Sequence, residues 1–143
     1  MTRLLRSVLA VVLGVLAAGL LIGLLEALGH LVFPPPAGLD PSDAASLAQL
    51  HAGHFLAVLL AWGVGTLGGA WVAGKVARHE IVTHGLIVGG LLMAAGIWQM
   101  LQFPHPVWFW IVGLLEFIPA AYVGAMLSDL RAPIVEPREE GPG

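Results

Sequence analysis

The stretch VLAVVLGVLAAGLLIGLLEALGHLVF, residues 8–33, decides the fold class, because its only acid or strong base is Glu26. About 20 helical residues, each rising 1.5 Å, cross a hydrocarbon core roughly 30 Å thick, and this stretch is long enough to do so. Pro34, Pro35 and Pro36 follow it and cannot continue a helix. The stretch therefore predicts a transmembrane helix.

The rest of the chain repeats this pattern. Of the 143 residues, 58% are hydrophobic and only 10% are charged, which is typical of a membrane protein. Further apolar stretches cover about 55–76, 81–101 and 106–127, without the alternation of membrane β-strands. We therefore predict an all-α, polytopic membrane protein with four transmembrane helices in one domain, residues 1–131. Residues 132–143 are rich in proline and glutamate and predict a disordered cytoplasmic tail.

The basic residues predict the orientation. None of them falls in segments 34–54 or 102–107; they are Arg3, Arg6, Lys75, Arg78, Arg131 and Arg138. Positively charged flanks stay in the cytoplasm, so we expect both termini inside and these two segments outside. A cleaved signal peptide is the alternative for residues 8–33, but a signal core has only about 7 to 15 apolar residues. We therefore expect an uncleaved span.

Outside the membrane, the segment Asp40-Pro41-Ser42-Asp43 predicts the start of a short surface helix that runs to about Leu50. Asp40 is the expected N-cap and Pro41 the expected first helical residue. The helix is either an ordinary connector or a lid on the bundle. Aromatic side chains near the outer boundary predict an interfacial belt, formed by Trp98, Phe103, Trp108, Phe109 and Trp110.

Small residues predict where the helices meet, since close approach of backbones drives much of helix association in lipid. The expected contacts are Gly19, Gly23 and Ala27 in the first span, Ala61, Gly65, Gly69 and Ala73 in the second, Gly85 and Gly89 in the third, and Gly113, Ala120 and Gly124 in the fourth.

Two intramembrane acids are the main functional feature of the sequence. Glu26 and Glu116 each follow a glycine by three residues, so we expect both to project toward neighbouring helices rather than lipid. Counted from the outer ends of their spans, they lie at depths of about 10 Å and about 15 Å. The sequence thus predicts a shared polar pocket, formed by Glu26, Glu116, His30 and Gln99.

Two functions fit such a pocket. In the first, the acids fix helix packing in an accessory or structural membrane protein, each contributing roughly 0.6 to 2 kcal/mol. In the second, two carboxylates at low dielectric cannot both stay ionised, so the pair holds a proton and serves as the binding site of a proton- or cation-coupled carrier or channel. Metal ligation is a weaker alternative, with His30, His51, His54 and His105 as candidate ligands.

Other functional classes find no support. The chain has no cysteine, no phosphate-binding loop of the Walker type, no His-Glu-x-x-His motif and no Gly-x-Ser-x-Gly motif, so we expect neither an enzyme nor a cofactor. A net charge of −3 argues against nucleic-acid binding. The expected partners are the lipid bilayer and either a second copy of the chain or another membrane protein.

Three segments carry a resemblance: FPPPAGLDPSD after the first span, AWGVGTLGGAWVAGK in the second, and FPHPVWFW before the fourth. With them the chain resembles small, uncharacterised four-span proteins of the bacterial inner membrane. The resemblance implies four spans in that membrane and implies no activity.

Overall fold

The computed structural model describes residues 2–40 and 42–130, so the predicted tail lies outside the described residues. Within these ranges the helices are α1 (Arg3–Val32), α2 (Ala44–Leu47), α3 (Ala52–Ala77), α4 (Ile81–Gln102) and α5 (Val107–Asp129). All except α2 are long and apolar enough to cross a membrane. The prediction of an all-helical fold with four helices able to span a membrane is confirmed.

The helices pack around α3 and α4. Helix α3 contacts α1, α4 and α5, and α4 contacts α1 and α5, whereas α1 and α5 do not contact each other in the described part of the chain. The middle of the bundle is therefore the α3–α4 hairpin, with α1 and α5 on opposite flanks. We call its two ends the basic end (residues 3–7, 76–81 and 128–130) and the proline end (residues 33–51 and 103–106).

Helices α1 and α3 cross with their backbones in direct contact. A Cβ atom added at Gly69 would lie 2.5 Å from the Gly14 carbonyl oxygen and 2.6 Å from the Ala18 Cβ atom. A Cβ atom added at Gly14 would lie 2.8 Å from the Gly69 carbonyl oxygen. Only glycine allows this approach at both positions, because real Cβ atoms do not come so close to a carbonyl oxygen.

The predicted small-residue contacts are correct at Gly65 and Gly69 of α3, Gly85 and Gly89 of α4 and Gly124 of α5, whereas the buried alanine of α5 is Ala121 and not the predicted Ala120. Gly85 and Gly89 of α4 pack against Ala121 and its neighbours in α5, and Gly124 of α5 packs against the Leu67 backbone of α3. The prediction for α1 is wrong, because a Cβ atom added at Gly19 or at Gly23 would meet nothing within 4 Å.

The predicted surface helix from Pro41 to about Leu50 is shorter in the structure, where α2 covers only Ala44–Leu47, and Pro41 lies outside the described residues. The N-cap of α2 is Asp43, whose carboxylate accepts hydrogen bonds from the backbone N–H groups of Ala45 and Ser46. The predicted N-cap, Asp40, instead accepts hydrogen bonds from the hydroxyl and the backbone N–H of Ser42, which lower the pKa of the Asp40 carboxyl. The Asp40 carboxylate therefore bonds to Ser42 in a local turn and does not cap α2.

The aromatic residues divide between the surface and the interior. Trp98 and Trp108 are exposed, as an interfacial belt requires. Phe109 was expected in the same belt, but it is fully buried, with its ring centroid 5.6 Å from those of Phe55 and Trp62. It fills the space between α3 and α5 at the proline end.

At the basic end, polar contacts tie the start of α1 to the end of α3. Arg6 Nε donates to the Val76 carbonyl oxygen at 2.8 Å, and Ser7 Oγ lies 3.1 Å from His79 Nε2. The connection from α3 to α4 consists of residues 78–80, and both Arg78 and Glu80 have left-handed backbone conformations, with φ values of 56° and 44°.

The Gly14–Gly69 crossing yields the first prediction. Gly69→Ala should destabilise the protein by about 1 to 3 kcal/mol, because the added methyl group forces α1 and α3 apart. The measurement is thermal unfolding in a mild detergent. The matched control is Gly90→Ala, since a Cβ atom added at this α4 glycine meets nothing within 4 Å. The control should leave the free energy of unfolding unchanged or raise it by up to about 1 kcal/mol through helix propensity. Equal effects of the two substitutions on stability would contradict the assigned crossing.

Candidate functional site: the proline-end chamber and the α1–α4 groove

A cavity of about 280 Å³ lies at the proline end of the bundle, and we call it the chamber. Helices α1 and α3 form much of its wall, and the segment before α3 contributes Leu39, Leu47 and Leu50. Its aromatic lining consists of Phe55, Phe103 and Phe109. Its polar lining consists of Glu26, His30, His54, Gln99 and His105.

One hydrogen bond fixes the position of Glu26 in this chamber. Trp62 Nε1 donates to Glu26 Oε1 at 3.1 Å, which joins α1 to α3. The indole ring is itself held in place, because Trp62 is only 5% exposed and its ring centroid lies 5.6 Å from those of Phe109 and Phe117. The second carboxylate oxygen, Oε2, makes no hydrogen bond to any residue within 2–40 and 42–130.

A second cavity, of about 320 Å³, lies between α1 and α4, and we call it the groove. Glu26 and Gln99 line both the chamber and the groove, so they stand where the two cavities adjoin. The remaining lining of the groove is Gly19, Ile22, Trp62, Leu92, Ala95, Gly96 and Phe117. Glu26 therefore lines two cavities, the chamber and the groove, whose walls are mainly apolar.

Glu116 lies elsewhere. A Cβ atom added at Gly63 of α3 would lie 3.4 Å from Glu116 Oε2, and the buried Oε1 atom of Glu116 has no hydrogen-bond partner among the described residues. Glu116 belongs to the lining of neither the chamber nor the groove. The predicted pocket shared by Glu26 and Glu116 is therefore not supported by the structure.

The physical reason is that the two acids lie against different residues of α3. Glu26 lies against Trp62 and Glu116 against Gly63, so both are at a similar level of the bundle. Consecutive residues of an α-helix point about 100° apart around its axis, since a turn holds about 3.6 residues. Counting residues along two spans predicts how deep each acid lies in the membrane. It does not show which residues of a third helix each acid contacts.

All the other predicted site residues except His51 line the chamber. His30 and Gln99 lie with Glu26 in the chamber, and His54 and His105 lie there as well. His105 stacks on Phe109, with ring centroids 4.8 Å apart. His51 is the exposed N-cap of α3 and is not part of the chamber lining.

The histidines do not assemble a metal centre. Across residues 2–40 and 42–130, no group of three His, Asp or Glu side chains is placed to hold a metal ion. His54 is engaged with backbone carbonyl oxygens, those of His51 at 3.2 Å and Pro34 at 3.4 Å. These contacts orient its ring within the connection between α1 and α3.

Trp62 is the site residue that the sequence reasoning missed. An indole N–H group in the middle of an apolar span requires an acceptor, and Glu26 is one of only two intramembrane carboxylates that the sequence offers. That requirement is the signal that would have pointed to Trp62.

Comparison of the chain with family models, with curated proteins and with solved structures finds no match in any of the three. The function is therefore argued from the geometry of the chamber and the groove.

The second prediction concerns the Trp62–Glu26 hydrogen bond. A double-mutant cycle with Trp62→Phe and Glu26→Leu should give a coupling energy of roughly 0.6 to 1.7 kcal/mol, the range for hydrogen bonds between transmembrane helices, because these substitutions remove the donor and the acceptor. Thermal unfolding of the four proteins provides the measurement. A cycle that pairs Trp98→Phe with Glu26→Leu is the control, because the Trp98 side chain is 66% exposed; it should give a coupling near zero. Equal coupling in the two cycles would refute the assigned bond.

Proposed function

We propose that this protein is a non-enzymatic membrane protein that binds a small organic cation in the chamber, with Glu26 as the counter-ion. The observation that carries the proposal is the position of Glu26, which lines both cavities, accepts a hydrogen bond from Trp62 at Oε1, and has no partner for Oε2 among the described residues. No Lys or Arg lines either cavity, so no fixed positive charge in their linings competes for the carboxylate.

The chamber walls favour an organic cation over a metal ion. Aromatic ring faces attract cations with about 0.5 to 2 kcal/mol, and the chamber contains the rings of Phe55, Phe103 and Phe109. Apolar walls also accept alkyl groups, whereas a hydrated metal ion needs several oxygen or nitrogen ligands. One carboxylate in an aromatic chamber suits a substituted ammonium group.

The proposed setting is the bacterial inner membrane, with both termini in the cytoplasm. The described basic residues Arg3, Arg6, Lys75 and Arg78 lie at or beside the basic end, which supports this orientation through the positive-inside rule. The chamber then faces the outer side of the membrane. A second copy of the chain or another membrane protein remains the proposed partner.

A structural or accessory role is the second candidate, and the Trp62–Glu26 hydrogen bond itself favours it. In that case the carboxylate joins α1 to α3 and binds no ligand. Transport by a carrier would require more than binding in the chamber. Access to the chamber from the basic end would require α1 and α3 to separate at Gly14 and Gly69.

The third prediction separates binding from packing. Wild-type protein in lipid nanodiscs should bind tetramethylammonium saturably in isothermal titration calorimetry. Glu26→Gln should weaken this binding at least roughly tenfold, because the neutral amide cannot balance the ligand charge. Glu116→Gln is the matched control: it also neutralises an intramembrane carboxyl group, but one outside the chamber, and it should bind as the wild type does.

Circular dichroism and thermal unfolding establish that each variant is folded. Absence of tetramethylammonium binding to folded wild-type protein, together with a stability loss in Glu26→Gln, would support the structural role instead. Equal loss of binding in the two folded variants would remove the special role of the chamber.

A further inference from the structure

We infer that the ligand is an amphipathic cation, with an ammonium head group at Glu26 and a single alkyl chain in the groove, and that it enters sideways from the membrane between α1 and α4. This inference rests on the proposed function and adds to it the ligand class and the route.

The groove lies along α1 between its contact with α4 and the proline end of the bundle. Helix α1 is close to α4 at Gly14, where an added Cβ atom would lie 2.9 Å from Val88 Cγ2. Farther along α1, Gly19, Ile22 and Glu26 line the groove, together with Leu92, Ala95 and Gln99 of α4. A Cβ atom added at Gly19 meets nothing within 4 Å, so the groove has room for a side chain there.

The groove is polar at one end only. Glu26 and Gln99 are its acid and amide, whereas Gly19, Ile22 and Leu92 belong to its apolar part. Gly19 precedes Glu26 by seven residues, which is about 10 Å along a helix. An amphiphile with its charge at Glu26 would therefore lay its chain along α1 toward the middle of the membrane.

Exposure along the groove favours entry from the side. Gly19 and Ala95, on its two walls, are exposed on the membrane-spanning surface of the described bundle. The chamber, by contrast, is lined by Leu39, Leu47 and Leu50 of the segment before α3, and Leu47 is only 8% exposed. The lipid-facing side thus offers an apolar approach to the carboxylate.

Gly19 provides a substitution that fills the groove without disturbing helix packing. Gly19→Leu places a bulky side chain in the groove lining, and its Cβ atom meets nothing within 4 Å. Gly90→Leu is the matched control, because Gly90 of α4 is equally free of Cβ contacts and lines neither cavity.

The experiment uses the full chain in nanodiscs and two probes. Tetramethylammonium tests the head-group site alone, and decyltrimethylammonium with a diazirine at the end of its chain tests the groove. Photolysis followed by peptide mapping should place the crosslinks on α1 near residues 19–22 and on α4 near residues 92–96. Gly19→Leu should reduce these crosslinks roughly tenfold and leave tetramethylammonium binding unchanged, whereas Gly90→Leu should alter neither.

Three results would overturn the inference, and they differ in whether the proposed function also fails. If tetramethylammonium binds in a Glu26-dependent manner but the diazirine marks lipid-facing residues at random and Gly19→Leu changes nothing, the sideways route is wrong and the proposed cation site stands. If neither probe binds in a Glu26-dependent manner, the proposed function fails as well, and the inference fails with it. An uncharged decyl probe that crosslinks equally well at these residues would show that the groove holds lipid chains without any role for the charge.

Discussion

The contact between the backbones of α1 and α3 at Gly14 and Gly69 holds the two helices that carry Glu26 and Trp62 together. Because neither residue has a side chain, the two helices meet there as closely as helices can. The same region of α1 also contacts α4 through Val88. The groove and the chamber lie farther along α1, toward the proline end.

The site depends on this arrangement because a carboxylate inside a membrane is tolerated only beside polar partners or a cavity. Glu26 has both: the Trp62 indole N–H satisfies one oxygen, and the residue lines two cavities. Glu116 lines neither of them, and its buried Oε1 atom has no partner among the described residues, although it lies at a similar level against Gly63, the residue next to Trp62 in α3. Two acids with nearly equivalent sequence contexts therefore occupy different physical environments.

Much of the fold follows from length and composition alone, since an apolar stretch of about 20 residues has few ways to satisfy its backbone except as a membrane-spanning helix. The packing contacts of α4 and α5 are predictable for a similar reason, because Gly85, Gly89 and Gly124 are spaced to lie on one side of their helices. In α1 the spacing is ambiguous: Gly14, Gly19 and Gly23 are all small, and only the tertiary structure shows that Gly14 is the one in contact. The chamber is predictable in part, since Glu26 and His30 lie one turn apart, but its remaining members come from other helices whose rotation the sequence does not reveal.

The short connection between α3 and α4 has a mechanical consequence. Only residues 78–80 separate the two helices, and Arg78 and Glu80 both adopt a backbone conformation that side chains with a Cβ atom rarely adopt. So short a link keeps the basic ends of α3 and α4 adjacent. Helix α1, in contrast, reaches α3 through residues 33–51. The position of α1 beside α3 therefore depends on packing along the two helices, including the glycine contact, and not on the length of the chain that joins them.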